Sequence, residues 1–168
     1  RLQAEDPVLS ASRTCRHRNA KGEVCNRPCL TDGGHHARTC PLGGGVMRRH
    51  NAVRDALFQW LKGLHLDVGR EQVITHWCLP HEQAILDLIV PDSHHPKGHF
   101  CVDVACVDSV FDLYSTGSTH ALERRERSKH TRYPGEGLYA FVVDTRGAWG
   151  KEATAFVHHI LRTVPKEE

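Results

Sequence analysis

The stretch from Ala84 to Val107 constrains this fold more than any other part of the chain. It reads as two short apolar runs, Ala84 to Val90 and Phe100 to Val107, joined by a segment of Pro, Asp, Ser, His and Gly. That is the pattern of two β-strands and a turn. Each run carries one carboxylate where an apolar side chain is expected, Asp87 in the first and Asp103 in the second. An ionised carboxylate inside a strand needs a partner, and two side by side repel unless a cation lies between them. A divalent metal meets that need. The alternative is one solvent-facing Asp and one Asp salt-bridged to an Arg.

A chain of 168 residues can bury one core and carry a small satellite. It begins at Arg1, so a segment of a longer protein is expected. No apolar run approaches a membrane span and no signal-peptide pattern opens the sequence, so a soluble chain is expected, with no membrane partner. Seven Cys, an odd number, with Cys and His concentrated before residue 41, argue for metal binding in a reducing intracellular compartment and against a disulfide framework. The net charge is only +2, but cations cluster at Arg48, Arg49 and Arg54, and again at Arg124, Arg125, Arg127, Lys129 and Arg132. Such clusters suit a polyanionic partner. Glu123 and Glu126 dilute the second one, for which a solvated helix face is the competing reading.

Residues 1–13 show no periodicity and read as a linker. Residues 14–44 contain almost no large apolar side chains, so this segment folds only if metal binding supplies the free energy. His36 and Cys40, separated by three residues, form half of a tetrahedral site, with His35 able to replace His36. Cys25 is a third ligand. The fourth is Cys15, across a hairpin turning at Asn19 to Gly22, or Cys29, through a short loop. Three sulfurs and one imidazole select zinc.

Residues 45–168 form the main domain. Val53, Leu57, Trp60, Leu61 and Leu64 fall at helical spacing, with Arg49, His50 and Arg54 mostly off that stripe and available to a ligand. LDVGREQVITHW reads as a strand containing Glu71, and the two Asp-bearing strands follow. Thr119 to about Tyr133 reads as a helix stopped by Pro134, LYAFVVDT as a buried strand, and AWGKEATAFVHHILRTV as a helix with Ala155, Val157, Ile160 and Leu161 inward. The fold class is therefore α/β (α+β), in the order αβββαβα.

A helix, a three-strand meander, a helix and a returning strand is the core order of the PD-(D/E)xK, or restriction-like, nucleases. In that arrangement Asp87 and Asp103 would reach one end of the sheet, where hard oxygen ligands suit Mg²⁺ or Mn²⁺. The Lys usual two residues after the second acid is missing, since Ala105 stands there. The nearest substitute is Lys129 on the following helix, with one more surface cation as the competing reading.

GGHHARTC, GGGVMRRHNAVRDAL, ILDLIV, FCVDVACVD and SKHTRYP together resemble the restriction-like endonuclease domain found downstream of the reverse transcriptase in site-specific non-LTR retrotransposons. The likeness runs from about Cys15 to Gly150. It implies Asp87 and Asp103 as metal-binding catalytic acids, Lys129 as the migrated lysine with Tyr133 close behind, and Glu71 as an acid of the first strand. Arg49, His50, Asn51 and Arg54 match its helix signature and would hold nucleic-acid phosphate or brace the site. Its zinc knuckle has a Pro-Leu pair after the second Cys. Cys29 interrupts that pair here, which favours Cys15 as the fourth ligand. Leu86 stands where a Pro often precedes the first acid, which puts the strand register in question. The implied activity is metal-dependent nicking of chromosomal DNA, in the nucleus, so that the freed 3′-hydroxyl primes reverse transcription. Target DNA and element RNA are the implied partners, and a larger reverse-transcriptase polypeptide the implied context.

Two other readings compete. One is a nuclease fold without turnover that binds DNA or RNA through its knuckle and Arg-rich helices. The other is a zinc hydrolase using the abundant His. His81-Glu82 lacks the second His of a zincin motif, however, His94, His95 and His99 fall in a turn, and His158 and His159 lie near a helix end.

Overall fold

The computed structural model describes residues 14–29, 35–42, 45–109 and 118–164. The chain divides into two compact units, Arg1–Arg49 and His50–Glu168. In the first, two antiparallel bridges, Thr14 with Pro28 and Arg18 with Val24, make a narrow hairpin. Its turn is held by Asn19, whose Oδ1 accepts the backbone N–H groups of Lys21 and Glu23 at 3.0 and 2.9 Å. Gly22 closes it at φ +82°, a conformation that favours glycine. A short helix, α1 (His35–Thr39), follows. The buried side chains among the described residues here are Cys15, His36 and Cys40, so the centre of this unit is a set of ligands and not an apolar core.

The remaining elements are α2 (Gly45–Gly63), β1 (Gly69–Val73), a 3₁₀ turn (Thr75–Trp77), β2 (Ile85–Pro91), β3 (His99–Val107), α3 (Ser118–Arg132), β4 (Leu138–Asp144) and α4 (Lys151–Thr163). The strands form one sheet in the order β1-β2-β3-β4. The first three are antiparallel neighbours, and β4 returns parallel to β3. The fold is thus mixed α/β, with elements in the expected order.

β2, β3 and β4 are nearly continuous runs of buried residues because helices cover both faces. On one face Leu88, Val90, Val102, Val104 and Phe141 pack against Leu57 and Leu61 of α2 and Phe156 and Ile160 of α4. On the other, Ala105, Ala140 and Val142 meet Leu122 of α3, beside a second cluster of Trp77, Leu86, Cys101, Tyr133 and Leu138.

Two expectations need correction. The strand read through LDVGREQVITHW is confined to Gly69–Val73, and the chain then coils into the 3₁₀ turn. There Trp77 is buried and its indole N–H donates to the Pro134 carbonyl at 2.7 Å, a tertiary contact that an extended run would not make. In α4 the inward stripe is Ala153, Phe156 and Ile160, with Val157 half-buried. Ala155 is exposed and Leu161 is 54% exposed. Phe156 sets this rotation, because its ring makes edge-on contacts with Trp60, Phe100, Tyr139 and Phe141.

Candidate functional site

The strand register brings the acids together. Arg70 pairs with Leu88 and Gln72 with Leu86, which sets Glu71 opposite Asp87. β2 and β3 pair as far as Leu88 with Val102, and just beyond that rung the Asp87 and Asp103 carboxyls are neighbours. Beyond that rung the Asp87 side chain itself satisfies β3: its Oδ2 accepts the Val104 N–H at 2.7 Å. Glu71, Asp87 and Asp103 therefore occupy one row across three strands. Asp87 and Asp103 are 8% and 5% exposed.

A basic side chain meets each acid. His50 Nε2 lies 2.9 Å from Asp87 Oδ1. Lys129 Nζ, from α3, lies 2.5 Å from Asp103 Oδ2. Arg54, one helical turn after His50, bonds Glu71 and also contacts Asp55 at 3.0 Å. Burial pushes the Asp87 carboxyl up, but His50 and the Val104 N–H outweigh it, and the group is held below the ordinary carboxylate range. Asp103 is held above that range by burial, reinforced by Asp87 and opposed by Lys129. The hydrogen bond to Asp87 holds His50 above the ordinary imidazole value. Two adjacent carboxyls are thus pushed in opposite directions, each with a basic side chain against it.

The other expected site residues are placed less centrally. Glu71 shares the row but not the acid pair. Its backbone is left-handed at φ +49°, which turns the side chain from the regular strand direction, and the carboxylate is exposed and bound to Arg54. His50 and Arg54 face the acids, not an open surface. The Arg49 guanidinium bonds the Arg38 carbonyl. Asn51 is half-buried, and its side chain has no hydrogen-bond partner among the described residues. Tyr133, expected on nucleic acid, is buried with its ring 5.6 Å from that of Trp77 and Arg132 over it at 5.1 Å, so its ring is engaged in packing.

In the first unit, one ligand atom from each of Cys15, Cys25, His36 and Cys40 lies within 4.8 Å of the others. Cys15 Sγ and Cys40 Sγ are 3.5 Å apart, and Cys25 Sγ and His36 Nε2 3.2 Å. A tetrahedral zinc with three ordinary Zn–S bonds and one Zn–N bond has edges of about 3.5–3.8 Å, close to this spacing, so the four residues could hold that ion. The choice left open between Cys15 and Cys29 falls to Cys15, for Cys29 and His35 are outside the cluster. Burial pushes the Cys15 thiol up to about 11. Burial also raises Cys40, but hydrogen bonds from His17, Leu42 and the neighbouring thiols outweigh it and bring it down to about 6. Nothing in the Cys/His spacing singled out His17. Its place across the hairpin from Cys25, whose N–H donates to the His17 carbonyl at 2.9 Å, is what brings it to the site.

Among the described residues no third His, Cys or acidic ligand atom joins Asp87 and Asp103 in a comparably tight cluster. Comparison of the sequence with protein-family models and with curated proteins finds no match.

Proposed function

We propose that this chain is a metal-dependent DNA endonuclease of the restriction-like type, with a structural zinc knuckle. The observation that carries the reading is Lys129 against Asp103, beside Asp87 in the same row. A buried acid pair with a lysine delivered from the next helix suits metal-assisted phosphodiester hydrolysis. Asp87 and Asp103 supply hard oxygens suited to Mg²⁺ or Mn²⁺. When bound there, such an ion lowers the pKa of a water and offsets charge on the phosphate. Lys129 would orient the attacking water or steady the charge that builds on the phosphate oxygens. His50 would fix the orientation of Asp87 through Oδ1 while Val104 holds Oδ2. The sequence likeness adds the biological setting: nicking of target DNA in the nucleus by a larger reverse-transcriptase polypeptide of a non-LTR retrotransposon, with DNA and the element RNA as partners.

One observation favours a second reading, a binding module without turnover. Lys129 and His50 already neutralise both acids, so the network is closed without a metal. Plasmid nicking in Mg²⁺ or Mn²⁺ separates the two. The nuclease reading expects nicking by the wild type and its loss in Asp87→Ala and Asp103→Ala, with salt-sensitive DNA binding retained. Nicking by both variants at the wild-type rate overturns the site assignment. A wild type that binds but never nicks supports the second reading.

A further inference from the structure

Helix α3 sorts its charges by side. Its two acids both turn toward α4: Glu123 pairs with Lys151 at 2.6 Å, and Glu126 Oε1 accepts the Glu152 N–H at 3.0 Å. The Arg and Glu residues that alternate in the sequence are therefore not partners of one another along the opposite flank. Leu122, Glu126, Lys129 and Tyr133 make the sheet-facing stripe. Next to it, at steps of four, three and four residues, run Ala121, Arg125, Ser128 and Arg132, and the last three are exposed. Arg125 has no ion-pair partner among the described residues. Arg132 pairs with Glu82 across two half-exposed side chains, a contact that water and salt weaken readily. Arg124, Arg125 and Ser128 line a cleft with Cys106, Val107 and Asp108 at the end of β3, the strand that carries Asp103, and the one carboxylate there accepts from the Thr145 hydroxyl. Lys129 leaves the same helix between Arg125 and Arg132, inward to that acid.

We infer that the Arg125, Ser128 and Arg132 flank of α3 is the surface that grips the DNA backbone on either side of the phosphate presented to Asp103 and Lys129, an inference that takes its partner from the nuclease reading above. The helix rises about 5.4 Å per turn, close to the spacing of successive phosphates along a strand. One turn before Lys129 and nearly one turn after it, an Arg would meet a flanking phosphate, and the Ser128 hydroxyl could donate to a third oxygen. On the α4 side the cations stand among acids that pair with them, Lys151 with Glu123 and His130 with Glu152, so they are less free to meet a phosphate.

Fluorescence anisotropy with a labelled DNA duplex, run without added divalent metal over a range of salt, tests this on the whole chain. Arg125→Gln/Arg132→Gln should weaken binding on the order of 10- to 100-fold at moderate salt and lower the slope of log affinity against log salt by about two. Arg125→Gln alone, at a side chain that supports no neighbour, should lower it by about one. Arg127→Gln, on the α4 side, should stay within about twofold of the wild type. An unchanged slope in the first two variants, or an equal loss in Arg127→Gln, overturns the proposal. Nothing is cut in this measurement, so its failure is distinct from failure of the nicking assay.

Discussion

Lys129 Nζ reaches Asp103 Oδ2 from a helix twenty-six residues further along the chain, whereas position 105, on the same strand and the same face, holds Ala. Ala105 is buried against Leu122, Ala140 and Val142. A lysine there would have to place its ammonium among apolar side chains under α3. On the nuclease reading, Lys129→Gln is expected to keep the fold and lower metal-dependent nicking by roughly 10²-fold or more. Ala105→Lys in the Lys129→Ala background should not restore it, and should destabilise the protein by about 3 kcal/mol through overpacking and a buried charge. Nicking rates and urea unfolding of the three variants check this. Recovery of activity in the relocated lysine would show that site to be accessible after all.

The strands carrying the acids were legible because burial on both faces writes an uninterrupted apolar run, in which one Asp stands out. Their alignment was not, since register is a tertiary property. The pairing of His50 with Asp87 depends on how α2 lies over the sheet, and periodicity within α2 showed only that His50 lay off the apolar stripe. Alternation along β1 placed Glu71 correctly in the strand, but a left-handed backbone at that residue leaves no trace in residue types. Lys129 stood out only as the nearest lysine after Ala105, and its choice rested on resemblance, because a crossover and a helix intervene. The zinc ligands were nearly complete in the sequence, since small polar segments have little besides metal to fold around. Only the choice of the fourth ligand waited for the bridge of Thr14 with Pro28, which sets the two arms of the hairpin in register and leaves Cys29 at its end.

That choice has a direct test. Cys29→Ser should bind one zinc per chain as the wild type does, whereas Cys15→Ser should lose the ion or bind it far more weakly. Because metal binding and folding are coupled in such a segment, chelation should also abolish amide-exchange protection at Cys15, Asn19, Cys25 and Cys40, whose N–H groups are bonded within the unit. Zinc content by mass spectrometry under native conditions reads the first effect. Equal zinc content in both serine variants would mean that Cys29 can replace Cys15.

Glu126 acts as a cap supplied by another helix. Gly150, at the start of α4, has no side chain to accept an N–H, and Glu126 fills the space where its Cβ would be. Glu126→Ala should cost about 1 kcal/mol, the ordinary worth of an N-cap, whereas Gly150→Ala would collide with the Glu126 carboxylate. Burial, with Glu152 and Glu123 nearby, holds the Glu126 carboxyl above its ordinary range. For a raised carboxyl the folded state binds the proton more tightly than the unfolded state. Its contribution to stability is therefore present at low pH and declines as pH rises from the unfolded value, about 4.3, through the folded one. Glu126→Gln keeps the acceptor oxygen and removes this titration. Denaturant midpoints of variant and wild type should diverge in favour of the variant as pH rises from about 4 to 7. Parallel curves would show that the charge has no cost.

His50 and Asp87 define a second pH window of opposite origin. Asp87 is held below its ordinary value, so its contribution is present above about 3.8 and is lost as pH falls through the lower folded value. His50 is held above its ordinary value, so its contribution is complete below about 6.5 and is lost as pH rises through the folded value. The ion pair should therefore stabilise the metal-free protein most between about pH 4 and 6.5. His50→Gln leaves a hydrogen-bond donor near Asp87 Oδ1 but no charge, so the wild type should exceed it in urea midpoint within that window and converge on it once the pH has passed the raised folded value of His50. The protein has fourteen His in all, and subtracting the two profiles isolates this one. A constant difference across the range would mean that His50 contributes by packing alone, and that its link to Asp87 is a contact without charge.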